Sequence, residues 1–137
     1  MSMSLFVILA LEMEPNIKEI NSIEPEIDHV LELSEKIDIN NHSGFLPATL
    51  DGKATGFEIY IFSVSKAPEP LKSVIPKDIQ NGNIYQISFG HNSLEAQAAF
   101  ATAISMNMRY NGVTIEDQAG SLLSIEQLQS LIASFNE

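Results

Sequence analysis

Cysteine is absent from the chain, which removes disulfides, thiolate metal sites and cysteine nucleophiles together. At 137 residues the chain can still bury a core without such staples. A reducing compartment suits it, and the cytoplasm is the expected location. Basic residues are also scarce: seven Lys and Arg stand against 18 Asp and Glu, a formal net charge of −11. The seven are scattered singly, with no basic, aromatic-interleaved patch for nucleic acid. The same field repels anionic membranes. The three histidines, His29, His42 and His91, lie at no metal-motif spacing, so no metal and no cofactor are expected. Leu5 to Leu11 is the longest apolar run of note. It is too short to span a bilayer, lacks a basic flank and a cleavage site, and runs straight into acids, so it reads as a buried strand with cover on both faces.

What is present begins with Asn83 to Asp117, where the spacing predicts a β-α-β unit. Ile84, Ile87 and Phe89 carry a strand, Leu94 to Met108 a helix, and Val113 to Ile115 a second strand. Asn92 or Ser93 suits the N-cap, and from Asn92 a capping acid falls at Glu95. Asn111-Gly112 closes the helix, with the left-handed position assigned to glycine. Leu94, Ala98, Ala101, Ile104 and Met108 mark its core stripe, and the alanines around them predict a mostly buried helix packed close to a sheet.

Elsewhere the chain reads as a strand over residues 4–11, then short helices near 16–22 and 25–36, the second restarted by Pro25. Phe45 to Leu50 and Gly56 to Val64 flank Asp51-Gly52, a strong hairpin signal, with Pro47 confined to an edge or bulge. The Pro-rich stretch 67–78 holds at most a short helical turn. Ser124 with Gln127 forms a capping box for a last helix, whose apolar face is Leu128, Leu131, Ile132 and Phe135. Neither a repeat nor a linker divides the chain. The expectation is one α+β domain over 1–137, with a mixed or mainly antiparallel sheet of about five strands and helices packed on it.

Three candidate sites follow. From Glu12 to Asp38, nine acids face only Lys18 and Lys36, a local charge of −7 that leaves −4 for the rest. Glu19, Glu24, Glu26, Asp28, Glu32 and Glu35 are the candidate contacts for a basic partner protein; the plainer reading of the same residues is a solubilising surface. Gly90, His91, Asn92 and Ser93 sit where a strand hands over to a helix, a place for an anion or small ligand, and equally what a tight turn with an N-cap requires. Glu58, Glu116 and Asp117, with Tyr60 or Tyr85, hold the residue types for acid-base work. Nothing in their spacing brings them together, so no catalytic residue is assigned. A deep pocket joining Glu58, His91 and Glu116 would favour an enzyme or ligand-binding domain, whereas a flat acidic face would favour a binding protein. An exposed edge over Leu46 to Leu50 would favour a homo-oligomer paired through the hairpin.

Ser43-Gly44-Phe45-Leu46-Pro47, with Asp51-Gly52-Lys53 and Gly56 to Tyr60, resembles a hairpin in small proteobacterial proteins of uncharacterised families. Asn111-Gly112-Val113 and Glu116 to Ser124 are similar to the tail of the same group. Some of these resemble immunity proteins of bacterial toxin systems. The resemblance implies a small, acidic, cytoplasmic, non-enzymatic inhibitor that binds a basic toxin domain, and it assigns no individual binding residue.

Overall fold

The computed structural model describes residues 3–23, 29–90, 92–118 and 120–135. Among these residues the chain forms one antiparallel sheet of seven strands, with four α-helices. The strands are β1 (Met3–Leu9), β2 (Leu31–Leu33), β3 (Gly44–Leu50), β4 (Lys53–Ser63), β5 (Asn83–Phe89), β6 (Val113–Glu116) and β7 (Leu122–Leu123), in the spatial order β2-β3-β4-β5-β1-β6-β7. The helices are α1 (Ile17–Ile20), α2 (Glu69–Lys72), α3 (Ser93–Tyr110) and α4 (Ile125–Ser134).

β1 lies between β5 and β6 and is antiparallel to both, with Val7 opposite Tyr85 on one side and Thr114 on the other. The segment β5-α3-β6 therefore does not close on itself as two paired strands, because β1 fills the gap between them. β5 and β6, each antiparallel to β1, run in the same direction with β1 between them, and every described pairing is antiparallel, so the 90–93 turn is not beside a paired parallel strand.

Alternation along the strands sorts the side chains onto two faces. Leu5, Val7, Leu9, Leu46, Phe57, Ile59, Tyr85 and Ile87 face the helices and are buried. Buried residues of α3 surround Ile104, and α4 adds Leu128 and Ile132 to the same core. α3 is hidden on nearly all sides, and its alanines leave room for sheet and neighbouring helices at once. Three of its buried polar residues donate within the fold: the hydroxyl of Thr102 to the Ala98 carbonyl, that of Ser105 to the Ile20 carbonyl, and Asn107 Nδ2 to Thr114 Oγ1, each at 2.8 Å, whereas Asn107 Oδ1 has no partner among the described residues. Met108, assigned to the core stripe, is 41% exposed, because it lies on the open side of the helix, whose Asn107 and Tyr110 on either side of it stay buried.

On the other face, Ile8, Ile84 and Ile115 are covered by the connection from β4 to β5, whose Val64, Ala67, Ile75 and Ile79 turn inward. This cover reaches only part of the sheet. The rest of that outer face carries Phe45, Glu58, Tyr60, Gln86 and Ser88, none of them fully buried.

Two helix ends differ from expectation. Asn111, not Gly112, takes the left-handed conformation, at φ 54°. Gly112 is needed for space instead, because a Cβ there would stand 2.5 Å from Leu9 Cδ2 and 2.9 Å from the Ile8 carbonyl oxygen. At the start of α3, Asn92 accepts from the amides of Leu94 and Glu95, while Glu95 reaches past the cap to Gly90. The capping box of Ser124 and Gln127 forms with both of its bonds.

The helix expected over 25–36 is not what forms in its described part. Leu31-Glu32-Leu33 is a strand, paired with Ala48 to Leu50, its leucines turned into the core and Glu32 outward. β2 thereby covers β3 where the expectation left an edge. β2 pairs with Ala48 to Leu50 and the Ser34 amide donates to the Pro47 carbonyl at 3.0 Å, so the Leu46-to-Leu50 edge that would favour a paired homo-oligomer is taken within the chain from Pro47 onward. Pro47 falls just beyond the stretch paired with β2, where its missing N–H costs no ladder bond. The hairpin itself turns on Asp51 and Gly52, both at positive φ, and His29 Nδ1 stands 2.8 Å from the Asp51 carboxylate. That hydrogen bond and the Val30 amide hold the Asp51 carboxyl below the usual carboxylate range.

Candidate binding surfaces

The acidic segment is pinned to the core by two tyrosines from the helix face. Tyr110 Oη accepts from the Asn16 amide at 2.9 Å and donates to the Glu19 carboxylate. Tyr85 Oη donates to Asn40 Oδ1 at 3.1 Å, and the Asn40 amide in turn donates to the Pro15 carbonyl at 2.9 Å. Burial, the stronger cause for both phenols, pushes each up to about 12; the nearby carboxylates of Glu14 for Tyr85 and Glu19 for Tyr110 act in the same direction. Residues 14–18 and 35–40, distant in sequence, are thereby brought together around a groove of about 580 Å3.

Glu14, Glu35 and Asp38 line that groove beside Lys18. Asp38 lies below the usual carboxylate range, first because the Asn40 amide donates to it and then because Asn41 does. Glu19 projects from α1 with its carboxylate on Tyr110, outside the groove lining. Glu32 stands on the outer face of the sheet, 3.5 Å from Thr49 Oγ1. Of the six acids expected to act as one surface, Glu35 faces the groove, Glu19 and Glu32 do not, and Glu24, Glu26 and Asp28 lie outside the described residues. Glu14 and Asp38, not among those six, join Glu35 instead. Ile17, Ile20 and Ile39 of the same segment are buried, while Ile37 is half-buried and lines the groove beside the acids.

At the start of α3, Gly90 lines a depression of about 390 Å3 with Glu58 and Glu95. The amides that an anion would use there, those of Gly90, Leu94 and Glu95, are taken by Glu95 and Asn92. Asn92 and Ser93 are exposed, and His91 lies outside the described residues. Glu58 accepts from the Tyr60 hydroxyl at 2.7 Å, which also raises the Tyr60 phenol. Glu116 accepts from the Gly120 amide, and Asp117 accepts from the Ser4 amide. Glu58 and Glu116 line separate depressions rather than one deep pocket.

Glu116 and Asp117 instead border a groove of about 610 Å3 on the outer face, between the α2 cover and the loop after β6. Phe6, Phe62, Leu71 and Val74 supply its apolar lining, with Gln86 among them. Sequence reasoning did not single out this groove. The signal available was the alternation that turns Phe6 and Phe62 away from the helix face, but their nearness depends on strand order.

Among the described residues no three His, Asp or Glu side chains gather to hold a metal ion, and no helix is long and apolar enough to cross a membrane. No protein-family model matches this chain, and no curated protein or solved structure shows significant similarity to it.

Proposed function

We propose that this chain is a non-enzymatic binding domain that receives a basic partner protein on its acidic surface, in its most specific form an immunity-type inhibitor of a basic toxin. The observation that carries the reading is the meeting of Glu14, Glu35 and Asp38 around one groove, on two segments that Tyr85 and Tyr110 anchor to the core. Anchoring matters because a charge held in place loses less side-chain freedom on binding than one on a free loop. With Ile17 and Ile39 facing inward and Ile37 half-buried in the lining, the three carboxylates supply the attraction for a basic partner. Such an interface associates quickly and weakens with salt.

The test is capture from native lysate on the immobilised chain, at low and at high salt, with the proteins encoded beside it as first suspects. The triple variant Glu14→Gln, Glu35→Gln, Asp38→Asn serves as the control surface. A basic protein retained at low salt, released at high salt and missed by the triple variant supports the reading. Retention of nothing, or of a partner indifferent to both salt and the three substitutions, overturns it.

A further inference from the structure

The outer-face groove is a built concavity with its own chemistry, separate from the acidic groove. Its size of about 610 Å3 lies within the range of small-molecule sites, roughly 300–1,000 Å3. Phe6 on β1 and Phe62 on β4 are half-buried, as are Leu71 and Val74 on the cover, so each keeps apolar surface turned to the groove. Beside them Ile115 is fully buried and makes a rigid backing.

The polar side chains lining the groove are those of Gln86, Glu116, Asp117 and Gln118, the last two exposed at its rim, and none of them is cationic. Gln86 spends its Nε2 on the hydroxyls of Ser4 and Ser88, at 3.3 and 3.5 Å, and its carbonyl oxygen receives no hydrogen bond among the described residues. Asp117 commits one oxygen to the Ser4 amide at 3.1 Å and keeps a second oxygen and its charge. Glu116 adds another carboxylate on the same side, already holding the Gly120 amide. No lysine or arginine lines the groove. An anion entering it would be desolvated beside like charges, and a neutral apolar molecule would leave the acceptors unused. A molecule with an apolar body and a cationic end matches both parts, and the chain's net charge of −11 draws cations toward it.

We infer that this groove binds a small hydrophobic cation, an aryl or alkyl chain ending in a primary ammonium. The apolar body lies against Phe6, Phe62, Leu71 and Val74, and the ammonium donates to Asp117 and to the Gln86 carbonyl oxygen. The site uses none of the acids between Glu12 and Asp38, so it stands or falls apart from the partner-binding reading.

The experiment is a titration of the full chain with phenylbutylammonium, followed by backbone amide chemical shifts, beside phenylbutanol and phenylbutyrate as neutral and anionic matches. The expected result is saturable shifts at Phe6, Phe62, Leu71, Val74 and Asp117, with the ammonium bound about tenfold more tightly than the alcohol and the carboxylate weaker still. Asp117→Asn, which retains an acceptor for the Ser4 amide, should remove most of the preference for the cation while leaving alcohol binding unchanged. Gln86→Leu should weaken the ammonium several-fold without touching that carboxylate. Equal binding of ammonium and alcohol, shifts centred elsewhere, no saturable shift, or an unchanged preference in both variants would overturn the inference.

Discussion

On the helix face of the sheet, Val7, Leu46, Ile59 and Ile87 are completely buried, and the aromatic rings of Phe89 and Phe100 meet edge-on with centroids 5.3 Å apart. On the outer face the same strands present Phe6, Phe62, Gln86 and Glu58, and the connection over residues 64–79 covers part of that face, leaving Glu58 exposed. Both faces share one backbone and one ladder of hydrogen bonds. They differ in what covers them, and that decides which can bind anything: a close-packed face has no space for a partner, whereas a half-covered one keeps apolar and polar groups side by side within reach of solvent.

The sharpest way to test this contrast is Phe100→Ala, on the tight side. It should cost about 3–5 kcal/mol, as large-to-small changes in a packed core do, read as a lower midpoint in urea with an unchanged slope. A loss below about 1 kcal/mol would mean that the helix face can collapse around the cavity and is not the rigid side.

An intermediate effect is expected at the seam where Tyr85 and Tyr110 tie the acidic segment to the helix face. Both phenols are raised from 10.0 to about 12, so their neutral forms favour the folded state. Their contribution is fully present below pH 10.0, and it is lost as pH rises toward about 12. With solvent screening allowed for, the loss amounts to about 2 kcal/mol in all. Near-ultraviolet titration of the Tyr60→Phe variant, which removes the third phenol, should show two late-ionising tyrosines, and thermal melts a melting point that falls over that window. Two tyrosines ionising at the ordinary phenol value would contradict the pinning.

The smallest effect belongs to the outer face. Leu71→Ala removes a half-buried side chain from the cover and should cost about 1 kcal/mol. Amide hydrogen exchange should accelerate in residues 64–79 first, while β1 and β5 exchange only with global unfolding. Uniform acceleration across the sheet would show that the two faces open as one unit, which would remove the contrast.

Much of the architecture was legible locally. The hairpin at Asp51-Gly52, the Asn92 N-cap of α3, the capping box of α4 and the apolarity of β1 each depend on residues within a few positions of one another, and all four appear where their signals stand. Leu31-Glu32-Leu33 was misread because three residues carry too little periodicity to outweigh a helical spacing with Ile27 and Val30. Its strand form depends on the partner edge that β3 offers. The candidate grooves were least legible. The acids were visible, but not that Glu14 would meet Glu35 and Asp38, and Phe6 and Phe62 lie more than fifty positions apart.

The sequence by itself determined the turns, the helix caps, the alternation of each longer strand and the sign of the surface charge. All of these come from steric preference, local hydrogen bonding and composition, which act over a few residues or simply add up along the chain. Only the tertiary structure decided that β1 would lie between β5 and β6, that β2 would guard the hairpin, and which acids and aromatics would share a groove. Those outcomes follow from burying both faces of β1 and one face of every other long strand at once, a condition on the whole chain that no short stretch of it can express.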